Sequence, residues 1–357
     1  MLNRLRIYNN QPHERIPGHA PITERDLGLT FQTQPGSTAK VMSAMAALIH
    51  DPELANERFQ ILNREIVHHS EGNERAGWMT MHDAIVHSSN NYFIGLTNNF
   101  KLYPELEQVY TTVGAGISND QASPVRSATP YYFEQHELDT DSAYHAVMSD
   151  ISRESYRVYD RHYMKERETG KQTKGHNGFR WNMWGTGMAW GQGGLRATPL
   201  NMARVASIVA NDGVFVPTRY VLRTGEQEAD TAKGQIIMTP QAASTLASYM
   251  IDEATAHTST LSRYTGSQRY KIGGKTGTPE RGTLTGESIN DAWYIFFIKS
   301  NNPGKSPLAL ALRLERTAGA NSGAALEVVE KIVMPVIVKH FPYLKNSQID
   351  ITTLPRQ

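Results

Sequence analysis

The sequence predicts a mixed α/β fold, an antiparallel sheet flanked by helices with an inserted, mainly helical subdomain. Three observations point there. Segments 270–281, 291–300 and 306–315 are β-type, consecutive, and joined by turn-rich loops. Apolar residues at helical spacing, bounded by capping residues, recur before them. A long helical segment, 322–341, follows them.

In chain order, "RLRIY" (4–8) reads as a short strand. After Pro35 and Gly36, the small and apolar run "STAKVMSAMAALIH" reads as a buried helix ending near His50. Residues 79–100 have helical spacing on both sides of the polar "HSSNN" and read as helix, turn, helix. Residues 129–180 are polar, rich in tyrosine and mixed in charge, and read as a surface insertion, helical over about 149–167. In 197–213, Thr198 caps a helix, Pro199 suits its first position and Gly213 ends it. Segment 239–256 repeats that grammar with Thr239 and Pro240. Pro335 should kink the final helix, because it lacks an N–H and crowds the preceding turn. The whole 1–357 reads as a single domain. Its sheet part lies at about 1–40 and 214–357, and its helical part at about 41–213.

Composition narrows the function. The 357 residues are 39% hydrophobic and 20% charged, which suits a folded chain. A formal net charge of +1 gives no electrostatic case for binding nucleic acid. The absence of cysteine removes disulfides and thiolate metal sites, and leaves the redox compartment open. No apolar run approaches the ~20 residues of a membrane-spanning helix. His82, Asp83 and His87 lack a strong ligand spacing, as do His136, Glu137, Asp139 and Asp141, so no metal or other cofactor is expected.

Three short motifs carry chemistry. Ser37 precedes Lys40 by one helical turn, so the two share a face. A helix N-terminus offers free N–H groups and a positive dipole end, which suit an oxyanion forming beside the serine. A buried lysine favours its neutral amine, so serine and lysine can act as nucleophile and base without histidine. Taken alone, S-x-x-K occurs by chance as an N-cap and an ordinary helix lysine. Ser88 and Asn90 place a hydroxyl and an amide two residues apart in a loop, where a polar turn is the plainer reading. "GGKTGT" (273–278) is more specific: Lys275 supplies a cation, Thr276 and Thr278 hydroxyls, and Gly277 an open backbone. A strand edge of that kind can pair with an extended peptide and hold its carboxylate. The alternative, a glycine-rich bulge with a solvated lysine, weakens a strand with no packing gain.

Together the three motifs resemble the penicillin-recognising serine enzymes, specifically the transpeptidase domain of monofunctional, class B-like penicillin-binding proteins. "QPGSTAK" resembles the family's P-P-G-S-x-x-K, and "WGQGGLRATPLNMARVASIVANDG" is similar to its G-Q-G and T-P-L-Q-M-A stretch. The likeness runs from about Phe31 to His340. It implies that Ser37 is acylated, Lys40 takes its proton, and Ser88 passes a proton to the leaving amine with help from Lys275. It implies that Asn90 holds the substrate amide and that Thr276, Gly277 and Thr278 bind the terminal carboxylate end. The N–H groups of Ser37 and Thr278 would form the oxyanion hole. The implied partners are peptidoglycan stem peptides ending in D-Ala-D-Ala, β-lactams and other cell-wall synthesis proteins. The implied location is the extracytoplasmic (periplasmic) face of a bacterial membrane, with the anchor outside this chain.

The glycosyltransferase and pedestal regions of larger members are not seen, so an excised catalytic domain or a stand-alone member is expected. The 129–180 insertion has no obvious family counterpart. A D,D-carboxypeptidase or a β-lactam sensor shares the same acylation chemistry. A β-lactamase fits less well: no glutamate between Asn90 and Lys275 precedes an asparagine by four residues, and Asn90 stands where class D enzymes usually carry valine. Trp181, Trp184 and Trp190 are expected in the core or cleft wall.

Overall fold

The structure, a computed structural model, describes residues 33–61, 77–117, 187–192, 195–218, 223–224, 227–228, 233–256, 258–284, 287–302, 304–318 and 322–344. The expected strand at 4–8 and the insertion at 129–180, with its helix, lie outside the described residues.

The main sheet is built on one long central strand, Glu287–Ser300. Leu308–Ala318 pairs along one side of it. Tyr270–Gly277 and then Glu280–Leu284 pair along the other, and all pairings are antiparallel. The segment expected as one strand over 270–281 is therefore interrupted at Thr278 and Pro279. Proline has no N–H for the ladder. The Pro279 carbonyl instead accepts the Asp291 N–H (3.1 Å), and the register shifts between Glu280 and Thr283.

Both faces of the central strand are covered, which explains its unbroken apolar run. Trp293, Ile295 and Phe297 enter one core, shared with the helix after Ser37 and with Pro199–Ala210. Tyr294, Phe296 and Ile298 enter a second core beneath Leu326, Val329 and Met334. The glycines at 273 and 274 have a packing role that the sequence did not suggest. A Cβ at Gly273 would stand 2.3 Å from the Phe297 ring, and one at Gly274 2.1 Å from the Tyr294 hydroxyl. Aromatic side chains of the central strand fill the space these glycines leave.

The helices follow their boundary residues. Gly36–Ala39 forms a 3-10 turn that runs into the helix Lys40–His50, buried from Lys40 to Leu48. Met81–Val86 and Asn90–Phe100 are the expected helix pair. Thr80 and Asp83 form a capping box on the first, and Ser89 caps the second. Thr198 and Asn201 form a capping box on Pro199–Ala210. Gly213, at φ +85°, turns the chain after that helix. Pro240–Ala256 packs against the Lys275 strand, and Thr239 accepts the Ala242 N–H (3.2 Å). At Pro335 the final helix does not simply kink. A π turn, Val329–Val333, separates Ser322–Val328 from Met334–His340. The wider turn accommodates a residue that cannot make its own i to i−4 bond. Among the described residues, no helix is long and apolar enough to cross a membrane.

Candidate active site

The site begins with the turn Gly36–Ala39. Gly36 takes φ +57°, and its N–H donates to the Gly191 carbonyl (3.0 Å). A Cβ on Gly191 would lie 1.8 Å from the Gly36 oxygen, so the 187–192 segment rests directly on the serine turn. Ser43 Oγ donates to the Ala189 carbonyl (2.7 Å) and fixes that segment from below. Trp190 is half-buried here; Trp181 and Trp184 lie outside the described residues.

Lys40 is fully buried. Its Nζ donates to Ser37 Oγ (2.9 Å), to Ser88 Oγ (3.0 Å) and to the Ser88 carbonyl. Ser88 holds φ +60°, a left-handed conformation that a non-glycine residue keeps only when its surroundings fix it. Ser37 and Ser88, far apart in sequence, thus meet at one amine. Both hydroxyls stand within proton-transfer distance of this nitrogen. Asn90 is half-buried at the start of the next helix.

The Lys275 strand closes the site from the other side. Gly277 meets the serine turn: a Cβ there would stand 2.9 Å from the Pro35 oxygen and 3.0 Å from the Thr38 nitrogen. A Cβ on Gly36 would likewise stand 2.7 Å from the Pro279 ring. The front and back of the chain therefore touch at the serine turn. Among the described residues this strand pairs only with the central strand, and no described strand lies along its other edge.

Lys275, 1% exposed, does not bond to Ser88. Its Nζ donates to Glu253 Oε1 (3.3 Å) and Thr276 Oγ1 (3.4 Å). The same Glu253 oxygen accepts the Thr276 N–H (2.9 Å) and hydroxyl (2.9 Å). Three donors thus converge on one oxygen of this buried carboxylate. Burial, then the Glu253 charge, push the Tyr294 phenol well above its usual range, so it stays neutral.

Sequence reasoning did not single out Glu253, although a signal exists. Ala243, Leu246, Met250 and Glu253 fall at helical spacing, which puts a charged residue on a buried stripe. Asp291 was missed too. It is buried against Arg313 Nε (3.0 Å) and ties the sheet to Thr33 (3.4 Å). His82 pairs with the exposed Asp252 (2.9 Å).

The chain matches the family model described as the penicillin binding protein transpeptidase domain over residues 8–334. No curated protein sequence matches it. Among solved structures it is similar to penicillin-binding protein A from M. tuberculosis in its ceftriaxone acyl-enzyme complex, with TM-score 0.56 and 18% identity, covering 87% of this chain and 62% of that one. It is similar to Pseudomonas aeruginosa PBP2 in complex with WCK 5153, with TM-score 0.57 and 20% identity, covering 88% and 62%. It is also similar to the apo TP domain of Burkholderia pseudomallei penicillin-binding protein 3, with TM-score 0.55 and 16% identity, covering 90% and 84%. At these identities the likeness is one of fold. The chain spans less than two thirds of the length of the first two.

Proposed function

We propose that this chain, which belongs to the penicillin binding protein transpeptidase domain family, is a serine D,D-transpeptidase that cross-links peptidoglycan stem peptides ending in D-Ala-D-Ala. The observation that supports this most directly is the buried Lys40 amine, hydrogen-bonded to both Ser37 Oγ (2.9 Å) and Ser88 Oγ (3.0 Å). Ser37 Oγ attacks the carbonyl between the two D-alanines, and Lys40 takes its proton. The oxyanion develops between the N–H groups of Ser37 and Thr278; losing one such donor typically costs ~10²–10³ in rate. Ser88 delivers a proton to the nitrogen as the C–N bond breaks, and D-alanine leaves. The amine of a second stem peptide then attacks the ester, giving up a proton as Ser37 regains its own. Asn90 holds the donor amide, and the other edge of the Lys275 strand pairs with the extended peptide.

A β-lactam acylates Ser37 by the same first step, but its amine stays tethered and blocks the acceptor. That M. tuberculosis penicillin-binding protein A forms acyl-enzymes with ceftriaxone and penicillin G supports the reading. The substrate places the enzyme at the extracytoplasmic face of the cell membrane, alongside other cell-wall synthesis proteins.

Intact-mass analysis after incubation with penicillin G tests the acylation. A single long-lived adduct on the peptide containing Ser37, absent in Ser37→Ala, is expected. An unchanged wild-type mass refutes the serine-acylation reading, and rapid loss of the adduct points to a hydrolase. Transfer of a D-amino acid onto a thioester donor then separates a transpeptidase from a carboxypeptidase or sensor.

A further inference from the structure

The two threonines of the Lys275 strand are not equivalent. The Thr276 hydroxyl has one proton, and it is given to Glu253 Oε1 (2.9 Å). Its oxygen lies within reach of the Lys275 ammonium (3.4 Å), and the residue is 7% exposed. The Thr278 hydroxyl is half-buried and accepts the backbone N–H of Ser322 (3.0 Å). A backbone nitrogen can only donate, so Thr278 keeps its own proton free.

We infer that Glu253 divides the work between these residues. It locks Thr276 and Lys275 into the strand as a positioning residue, and it leaves Thr278 as the hydroxyl that donates to the terminal carboxylate of the acyl donor. The inference rests on the acyl-serine reading above and refines it, since the family resemblance alone assigns the carboxylate to both threonines. The chemistry is consistent in charge. Glu253 and Lys275 neutralise one another within the strand, so an incoming carboxylate meets an oriented O–H beside a compensated pair. The Ser322 N–H aligns that O–H, because it occupies a lone pair on the side facing the final helix.

The test compares acylation by penicillin G with acylation by its methyl ester, which lacks the anionic carboxylate. The readout is the ratio of the two second-order rate constants in each variant. A hydrogen bond to a charged group is worth about ten- to a hundredfold in rate. Thr278→Val is expected to lower the acid-to-ester ratio by about that factor, and Thr278→Ser to restore it, which separates a lost hydroxyl from a disturbed helix start. Thr276→Val should leave the ratio within about twofold of wild type, whatever it does to both rates. Glu253→Ala, which releases the Thr276 proton, should raise the ratio. Equal loss of the ratio in Thr276→Val and Thr278→Val, or an unchanged ratio in Thr278→Val, overturns the inference while the wild-type adduct on Ser37 still stands. A wild-type protein acylated by neither probe overturns the acyl-serine reading, and this inference with it.

Discussion

Substituting alanine for Gly277 should damage acylation more than stability. The backbone at Gly277 is ordinary strand, paired with Trp293, so the cost comes from space rather than from conformation. The added Cβ would lie 2.9 Å from the Pro35 oxygen, 2.9 Å from the Thr38 methyl and 3.0 Å from the Thr38 nitrogen. Ordinary contact begins at 3.4 Å, so the gap is short by roughly half an ångström. Two of the three atoms are backbone, and no rotamer change relieves them. The strand end must therefore move away from the serine turn, which separates Thr278 from Ser37. A displacement of about 1 Å in a catalytic arrangement can cost 10²-fold, so half that distance should cost about tenfold. Overpacking should cost about 1–3 kcal/mol in stability. The assay is the second-order rate of labelling by a fluorescent penicillin, with thermal denaturation of the same samples. Gly95→Ala is the control: its Cβ meets only the Phe59 ring at 3.5 Å, and a helical alanine should stabilise by about 0.5–1 kcal/mol. Labelling within twofold of wild type in Gly277→Ala would show that the close approach does not position the nucleophile.

Other perturbations follow from the supporting structure. Asp291→Ala removes the nearer of the two carboxylates on the buried Arg313, leaving Glu315 at 3.4 Å, which should cost about 3 kcal/mol. For a chain of this size the Tm should fall by about 4–10 °C, and a change under 2 °C refutes the assignment. Thr198→Ala removes one half of a capping box and should cost about 1 kcal/mol by urea denaturation, with labelling by penicillin retained. Burial opposes the ionisation of Asp83, but bonds from the Thr80 N–H and hydroxyl, together with His82 and His87, outweigh it and lower its pKa. A folded pKa below the unfolded one gives stability that is full above about pH 4 and lost as pH falls through the folded value. The stability difference between wild type and Asp83→Asn should therefore shrink as the pH falls below about 4, and a flat difference would count against the capping box.

The helices were legible because their signals are local. Thr198 before Pro199, and Thr80 three residues before Asp83, specify their own caps whatever the chain does elsewhere. The sheet was legible from its apolar runs, and the break at Thr278 and Pro279 was not. That break depends on the Asp291 N–H reaching the Pro279 carbonyl, which is a pairing between segments and not a property of either one. The glycines at 273 and 274 misled for the same reason. Read along their own strand they weaken it, and read across the pair they admit the rings of Phe297 and Tyr294.

The site divides along the same line. Ser37 and Lys40 were readable because one helical turn fixes their separation, and the Lys40 hydrogen bond to Ser37 follows from that geometry. Ser88 was readable as a motif only, since its left-handed backbone, which turns both its oxygens toward Lys40, is imposed by the surrounding fold. Glu253 is the instructive case. Its helical spacing could have announced a buried charge, but not which cation it would meet. Two lysines are buried in this site, and only the packing of Pro240–Ala256 against the Lys275 strand assigns the carboxylate to Lys275. That choice has a chemical consequence. A carboxylate beside Lys40 would favour its ammonium form and oppose the base role proposed for it, and Glu253 is engaged by Lys275 instead. Pairing Glu253 with Lys275 gives one lysine of this site a carboxylate within its own strand region, while the other holds Ser37 and Ser88 together.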